Sequence, residues 1–471
     1  MSRTTATDSA LQSRADFGSD TADKSPSKAF RDYIAKLRAG ELGSLPALLG
    51  LATLVIVFAS ASPVFLSLTN LANLLSQSSG RMLIAMGLVF VLLIGEIDVS
   101  AGAASGVTAA VLALHYVNNG NLLGGMGEPV FIIFVVLNLV AVGLAIWMKI
   151  WAAAVISLIP VAIALIGFTA NPWIGMVLAV TVGTSIGTIT GFLVAKVRIP
   201  SFVITLALFL TWQGVILRLI GDGGVLGINS EPTLRSVANG NLSPVFGWIL
   251  YAVSVAGFSA VVIGQHLIRR RRHLATSPVI VLVAKVGLLV LLGAAATALL
   301  NLNRSQNDNV VISGIPYVVP IVLVLLVAGT YVLNRTRYGR HIYSVGGNAE
   351  ASRRAGIDVP KIRASVFIVS SSLAAVGAIV YSSKVGSVDP TAGGLNTLLF
   401  AVGAAVIGGT SLFGGRGRLS NAVIGGLVLA VVENGLGLLN QPAAIVAIVT
   451  GLVLALAAAV DALSRRRSTK F

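Results

Sequence analysis

Cysteine is absent from all 471 residues, which excludes disulfides and thiolate metal sites and leaves the redox compartment unreadable from cysteine usage. Charge is scarce. Asp, Glu, Lys and Arg together make up 11% of the chain, against about a quarter in soluble globular proteins. A soluble core is thereby excluded and the chain falls in the membrane class. Aromatic residues are also few, at 6%, whereas 56% of the chain is hydrophobic and 51 residues are glycine. That balance suits helices packed through small side chains rather than an outer-membrane barrel of alternating strands. Acidic residues number 17 against 33 Lys and Arg, a formal net charge of +16. In a polytopic protein such an excess reads as positive-inside topology, so the expected surroundings are a lipid bilayer and no nucleic acid. Finally, His115, His266, His273 and His341 lie in separate segments without ligand spacing. Neither a metal site nor an intramembrane enzyme is expected.

What the sequence does contain is a succession of apolar runs, each long enough to cross about 30 Å of hydrocarbon as a helix. The expected fold is all-α: a polytopic transmembrane bundle of about 14 spans, with ten as the lower bound. The spans fall near 46–66, 81–97, 101–117, 129–147, 151–169, 173–194, 202–220, 246–267, 278–300, 317–334, 365–383, 397–413, 419–438 and 443–460. Residues 1–45 are polar and lack an apolar stretch behind a basic start, so they read as a partly disordered cytoplasmic tail rather than a signal peptide. The transmembrane domain covers 46–460, and 461–471 is a basic cytoplasmic tail. With both termini inside, 27 of the 33 Lys and Arg fall on the cytoplasmic side. Only Arg81, Arg218, Arg235, Arg304 and Lys384 fall at outer ends, while Lys285 lies within a span. One missed span would invert every later loop, so the agreement supports an even count. A missed pair would go undetected.

The one sizeable inside loop is 335–364. Within it Asn348 is a good N-cap, Glu350 sits in a first turn, Arg353 and Arg354 sit in a last turn, and Gly356 supplies the stop. A helix of about two turns follows. Such a short helix is marginal alone and gains stability by docking on something. Pro360 then suits the first turn of the next span.

Glu350-Ala351-Ser352, three residues, then Gly356 resembles the Glu-Ala-Ala-x-x-x-Gly signature of ABC importer permeases, whose short coupling helix docks on an ATPase subunit. The Ile-x-Leu-Pro continuation of that signature is not recognisable. Gly95-Glu-Ile-Asp-Val-Ser-Ala-Gly102 is similar to the Gly-Gly-Ile-Asp-Leu-Ser-Val-Gly motif of ribose- and xylose-type permeases, with Glu96 in place of the second Gly. The stretches Gly339-Arg340 through Gly347-Asn348, Val406 through Gly417, and Asn434-Gly435-Leu436 resemble the same family. The likeness is ordered over about 68–460, interrupted near 119–170 and 268–316, and the chain's length is more like the xylose type. The resemblance implies a permease homodimer in a bacterial inner membrane that moves a monosaccharide. It also implies a cytoplasmic ATPase partner that uses ATP and Mg, an external sugar-binding protein, and no cofactor on this chain. The coupling residues would be Asn348, Glu350, Ala351, Arg353, Arg354 and Gly356. A secondary sugar transporter or facilitator, working without an ATPase, is the other reading; such carriers usually show intramembrane carboxylates or inverted repeats.

Glu96 and Asp98 fall at the inner end of the second expected span, where water would satisfy them. A broken helix there would instead bring Asp98 to the pathway, with Gly95 and Gly102 allowing the backbone to bend. Asp98 and Ser100 are candidates for a hinge or cap, or for a sugar ligand. Gly408, Gly409, Gly414, Gly415 and Gly417 flank Phe413 on a turn that lacks the Gly-Lys-Ser/Thr ending of a phosphate loop. Close helix packing and a tight turn account for them, and Gly102 and Gly106 read the same way. Glu433, inside an apolar run, is expected to be partnered, protonated or turned to a hydrated cavity. Asn70, Asn73, Ser76, Gln77, Trp212, Gln213 and Asn434 are candidates for a pathway lining. Polar contacts between helices are the equal alternative.

Overall fold

Backbone surrounded by hydrocarbon satisfies its N–H and C=O groups only within its own segment, so long apolar runs are driven to helix. In a computed structural model, residues 44–468 are described apart from 273, 275, 277, 306 and 308, with side chains described as far as residue 459. Of the expected 1–45 tail, residues 1–43 lie outside the described residues. The chain is an all-α membrane protein. Its first half comprises α1 (Leu45–Ala61), α2 (Leu68–Leu93), α3 (Ala101–Val117), α4 (Leu122–Met126), α5 (Glu128–Trp147), α6 (Trp151–Ile166), α7 (Pro172–Phe192), α8 (Ser201–Ile220) and α9 (Pro232–Asn239). The second half comprises α10 (Pro244–Arg271), α11 (Val279–Asn301), α12 (Val318–Arg335), α13 (Arg337–Gly347), α14 (Ala349–Arg354), α15 (Val359–Val385), α16 (Leu395–Ile407), α17 (Leu419–Leu438) and α18 (Ala443–Ser468). Each expected span overlaps one of these helices. Among the described residues nine helices are long and apolar enough to cross a membrane, and α1, α3, α6, α16 and the first part of α18 are shorter apolar helices. α18 runs on to Ser468, into the segment expected as a tail.

The most apolar helices are the least covered, which is the reverse of a soluble fold. Only 17% of the apolar stretch of α5 and none of that of α11 is buried, against 83% of α2. Their Leu, Ile and Val side chains therefore belong against lipid, while α2 lies at the centre of its unit. α15 packs along both α2 and α7. The approach is backbone to backbone: a Cβ at Gly187 would lie 2.7 Å from the Phe367 carbonyl, and one at Gly191 2.6 Å from that of Ala364. Small residues four apart open this seam.

The described chain forms two units. Leu242–Ile315 holds the α10–α11 hairpin, tied by a hydrogen bond from the Tyr251 hydroxyl to the Val290 carbonyl, 3.1 Å. Its connecting end is closed by Arg304, which donates to the carbonyls of Leu300 and Gly314. The other unit, 44–241 with 316–466, carries every candidate site below. In it α9 folds against α15, where Ser383 accepts from Ala238 N at 2.9 Å. A two-residue antiparallel pairing of Leu226–Gly227 with Ser387–Val388 closes the same end.

Several span boundaries are corrected, the first span ending at Ala61 rather than 66. The second span starts at Leu68, not 81, because Ser67 caps it and the polar residues that break its hydropathy are absorbed: Ser76, Ser78 and Ser79 donate to carbonyls three or four residues earlier. Arg81 therefore sits mid-helix and not at an outer end. α15 starts at Val359, not 365, and α16 ends at Ile407, where the glycine-rich turn takes over.

Candidate coupling site and polar groups within the bundle

The expected two-turn helix is α14, six residues long. The Asn348 side chain accepts from Ala351 N at 2.9 Å. At the other end Ile357 N donates to the Ser352 carbonyl and Gly356 N to that of Arg353, both at 3.0 Å. With Gly356 at φ +84° this is a Schellman turn, which closes the last carbonyls of the helix. Glu350 pairs with Arg353 at 2.8 Å and Arg354 at 3.1 Å, and the two guanidinium groups hold its carboxyl below the usual range. All three side chains are well exposed, so the pairs shape the surface and add little stability. Asp358 then caps α15, accepting from Lys361 N at 3.0 Å, with Pro360 in the first turn.

Sequence reasoning missed α13, which precedes this turn. Its glycines, Gly339, Gly346 and Gly347, argue against helix, yet Thr336 caps it and Gly339, Ile342 and Val345 form a buried stripe. That spacing was the available signal. α13 and α14 are joined by Ser344 and Ser352, whose hydroxyls lie 2.8 Å apart. Tyr338 hydrogen-bonds Ser365 at 2.9 Å, and burial pushes its phenol up to about 12.

Three glycine motifs that are far apart in sequence meet here. A Cβ at Gly346 would stand 1.8 Å from the Leu93 carbonyl and 2.8 Å from Gly415 N; one at Gly414 would stand 2.8 Å from Gly95 N. Gly415 N donates to the Leu93 carbonyl at 2.8 Å, and the Tyr343 hydroxyl donates to that of Gly417 at 2.9 Å. The end of α13, the end of α2 and the 408–418 turn thus form one junction of bare backbone. Gly408 and Gly409 hold the other side of the turn, where a Cβ on Gly408 would overlap the Asn421 carbonyl at 1.8 Å.

Beyond Gly95 the helix is broken, and Asp98 is buried at 1% exposure instead of meeting water at a span end. Its carboxylate accepts from Ser100 N at 3.0 Å and Ser100 Oγ at 2.6 Å, and from Ser370 Oγ of α15 at 3.4 Å. The exposed backbone of the break is met by α8: Ile97 N donates to Ser201 Oγ and Val99 N to Thr205 Oγ1. Irregular backbone inside a bundle needs such partners. Glu96 pairs with Arg363 of α15 at 3.4 Å, an ion-pair approach rather than a hydrogen bond. Gly102 and Gly106 pack on the loop at Ala392–Gly393, with a Gly106 Cβ falling 2.1 Å from the Ala392 carbonyl, and also on helices, against Leu398 of α16 and Ile216 of α8.

A second polar group joins α2 to α17. Asn70 and Asn434 exchange amide hydrogen bonds at 2.9 Å. Arg81 binds Glu433 through both guanidinium ends, at 2.9 and 2.6 Å, so the intramembrane carboxylate is partnered. Asn73 and Gln77 lie on the exposed face of α2. Trp212 and Gln213 are not part of this group. Trp212, on α8, borders an apolar cavity of about 170 Å³ between α3, α5, α7 and α8. Neither the indole N–H nor the Gln213 amide nitrogen has a hydrogen-bond partner among the described residues.

The family model described as "Branched-chain amino acid transport system / permease component" matches residues 70–458, from the polar start of α2 into α18. The chain belongs to this family of ABC importer permeases. Within the family it is of the ribose- and xylose-type. The xylose transport system permease protein XylH of Haemophilus influenzae is 30% identical over 439 residues, 92% of this chain and 99% of that protein. XylH of Escherichia coli K12 is 28% identical over 86% of this chain and 87% of its own length. The ribose import permease protein RbsC of the same strain is 27% identical over 92% and 96%. No solved structure matches the chain significantly. As an ABC importer permease it is a transport subunit and not an enzyme in its own right, and it resides as a multi-pass protein in the bacterial inner membrane.

Proposed function

We propose that the chain is the membrane-spanning permease subunit of an ATP-binding-cassette importer that carries a monosaccharide, xylose or another pentose, across the inner membrane. The observation that carries this reading is α14: a short, exposed, capped helix of paired charges, fixed through α13 to backbone at the end of α2. A helix that short gains its stability by docking. A cytoplasmic ATPase subunit would seat on it, contacting Asn348, Glu350, Ala351, Arg353, Arg354 and Gly356. The names of the xylose and ribose relatives support the sugar class. An external sugar-binding protein would deliver the substrate, two copies of the chain would enclose the path, and ATP and Mg would be handled by the ATPase alone. Closure of the ATPases would move the coupling helices and switch the cavity between its two faces. Against a secondary carrier stands Glu433, the intramembrane carboxylate such a carrier would use, which is paired with Arg81. Uptake is expected to require ATP and to persist when the proton gradient is collapsed at constant ATP. Sugar uptake by this chain alone in proteoliposomes would favour the carrier.

The proposed topology has fourteen crossings, with both termini and 335–364 in the cytoplasm, on the basis of the 27 basic residues assigned to that side. Ser344 and Ser230 are both exposed. Cysteine at Ser344 is expected to resist a membrane-impermeant thiol reagent in intact cells, whereas cysteine at Ser230 reacts. Labelling at Ser344 would invert the topology.

A further inference from the structure

We propose that the Arg81–Glu433 pair is a sugar-contacting element of the translocation path, its carboxylate and guanidinium together binding one vicinal diol of the substrate. This rests on the importer function above and adds to it the group that reads the sugar. Position is the first argument. Arg81 is the fourteenth residue of α2, so at 1.5 Å per residue it lies about 20 Å along the helix, near the middle of a bilayer. Helical side chains lean toward the N-terminus, which carries the guanidinium toward Glu433 in the last two turns of α17.

Access is the second. The side chains are 12% and 23% exposed, so the pair is not sealed. One and two turns before Arg81, on the same face, Gln77 and Asn73 are exposed. Amides in the body of a span do not face hydrocarbon. This face of α2 therefore turns to water or to a second copy of the chain, and the pair stands at its inner limit.

Chemistry is the third. A sugar is held by planar polar groups that bond its hydroxyls and by apolar ring faces. Each end of the Arg81–Glu433 fork sets a guanidinium nitrogen beside a carboxylate oxygen, at 2.9 and 2.6 Å, so that one hydroxyl can donate to the carboxylate while its neighbour accepts from the guanidinium. Charge-assisted bonds of this kind are the strong ones. The guanidinium carbon lies 4.1 Å from the centre of the Phe400 ring and 6.0 Å from that of Tyr381. Tyr381 also borders a small cavity of about 70 Å³ whose lining includes Ser105, Asp389 and Thr397.

A pair that only glued α2 to α17 would be replaceable, because apolar residues of similar size in place of a buried ion pair are often neutral or stabilising. The test therefore uses Arg81→Met/Glu433→Leu in the full chain, expressed with the ATPase and binding protein of its transporter. Membrane level, melting temperature and uptake of labelled xylose and labelled ribose are measured. The variant is expected at wild-type level with an unchanged or raised melting temperature, and with uptake reduced about 10- to 100-fold, the range for hydrogen bonds to charged groups. The exchanged pair Arg81→Glu/Glu433→Arg keeps both charges but swaps donor and acceptor, and is expected to lose uptake likewise. Wild-type uptake by either variant overturns the inference alone. Failure of both variants to assemble makes the pair structural and also overturns it. A wild-type chain that takes up neither pentose overturns the proposed pentose substrate and the inference together.

Discussion

Gly346→Val is expected to abolish uptake while leaving the protein in the membrane. A Cβ at this position stands 1.8 Å from the Leu93 carbonyl and 2.8 Å from Gly415 N. Both are backbone atoms, so no rotamer change relieves the overlap. Forcing extra carbon into well-packed contact costs about 1–3 kcal/mol where side chains can yield, and here the elements themselves must separate. α13 would lift from the end of α2, breaking the link between α14 and the helix at the centre of the bundle. The melting temperature should fall, and ATP hydrolysis should no longer be matched by sugar uptake. Gly347→Ala is the control: it is the next residue, nothing lies within 4 Å of its Cβ, and its φ is negative. Near-normal uptake by Gly347→Ala alongside loss in Gly346→Val locates the effect in the junction. Normal uptake by both would show that α13 need not be held to α2.

The contrast between these neighbouring glycines illustrates what was legible in the sequence. Local signals were readable: the apolar runs give the spans, and the ends of α14 follow from Asn348, Glu350 and Gly356, which flank or open one six-residue helix. The junction was visible only as three separate glycine motifs, because Gly95, Gly346 and Gly414 are brought together by tertiary packing that no local period encodes. Glu433 was singled out as a carboxylate in need of a partner and Arg81 was not; 352 positions separate the two and nothing local pairs them. Arg81 was in addition placed at a span end, since the polar residues from Asn70 to Ser79 masked the first half of α2. Asp98 was half readable. Its bond to Ser100 is local, whereas Ser370 on α15 and the Ser201 and Thr205 that satisfy the neighbouring backbone come from other helices. A carboxylate at a helix break looks the same in sequence whether water or serine meets it.

The ends of α14 give the second large effect, and it falls on coupling rather than assembly. Gly356 has φ +84° with nothing within 4 Å of a Cβ, so any cost of replacing it is conformational and not steric crowding by neighbours. A residue with a Cβ in this region costs about 1–2 kcal/mol, and a β-branched one is a clear outlier. Gly356→Val should therefore open the Schellman turn and let a six-residue helix fray, whereas Gly356→Asn, which tolerates the left-handed region, should retain function. Glu350→Lys acts differently. It replaces the anion that Arg353 and Arg354 share with a third cation and sets a positive charge in the first turn, against the helix dipole. The pairs it removes are exposed and contribute little to folding. Both Gly356→Val and Glu350→Lys should reach the membrane at wild-type levels, since neither change touches a span. Each is expected to lose co-purification of the ATPase, or hydrolysis coupled to transport, together with sugar uptake. Full uptake by both would mean that α14 is a connector between α13 and α15, and the main structural support for the importer reading would be gone.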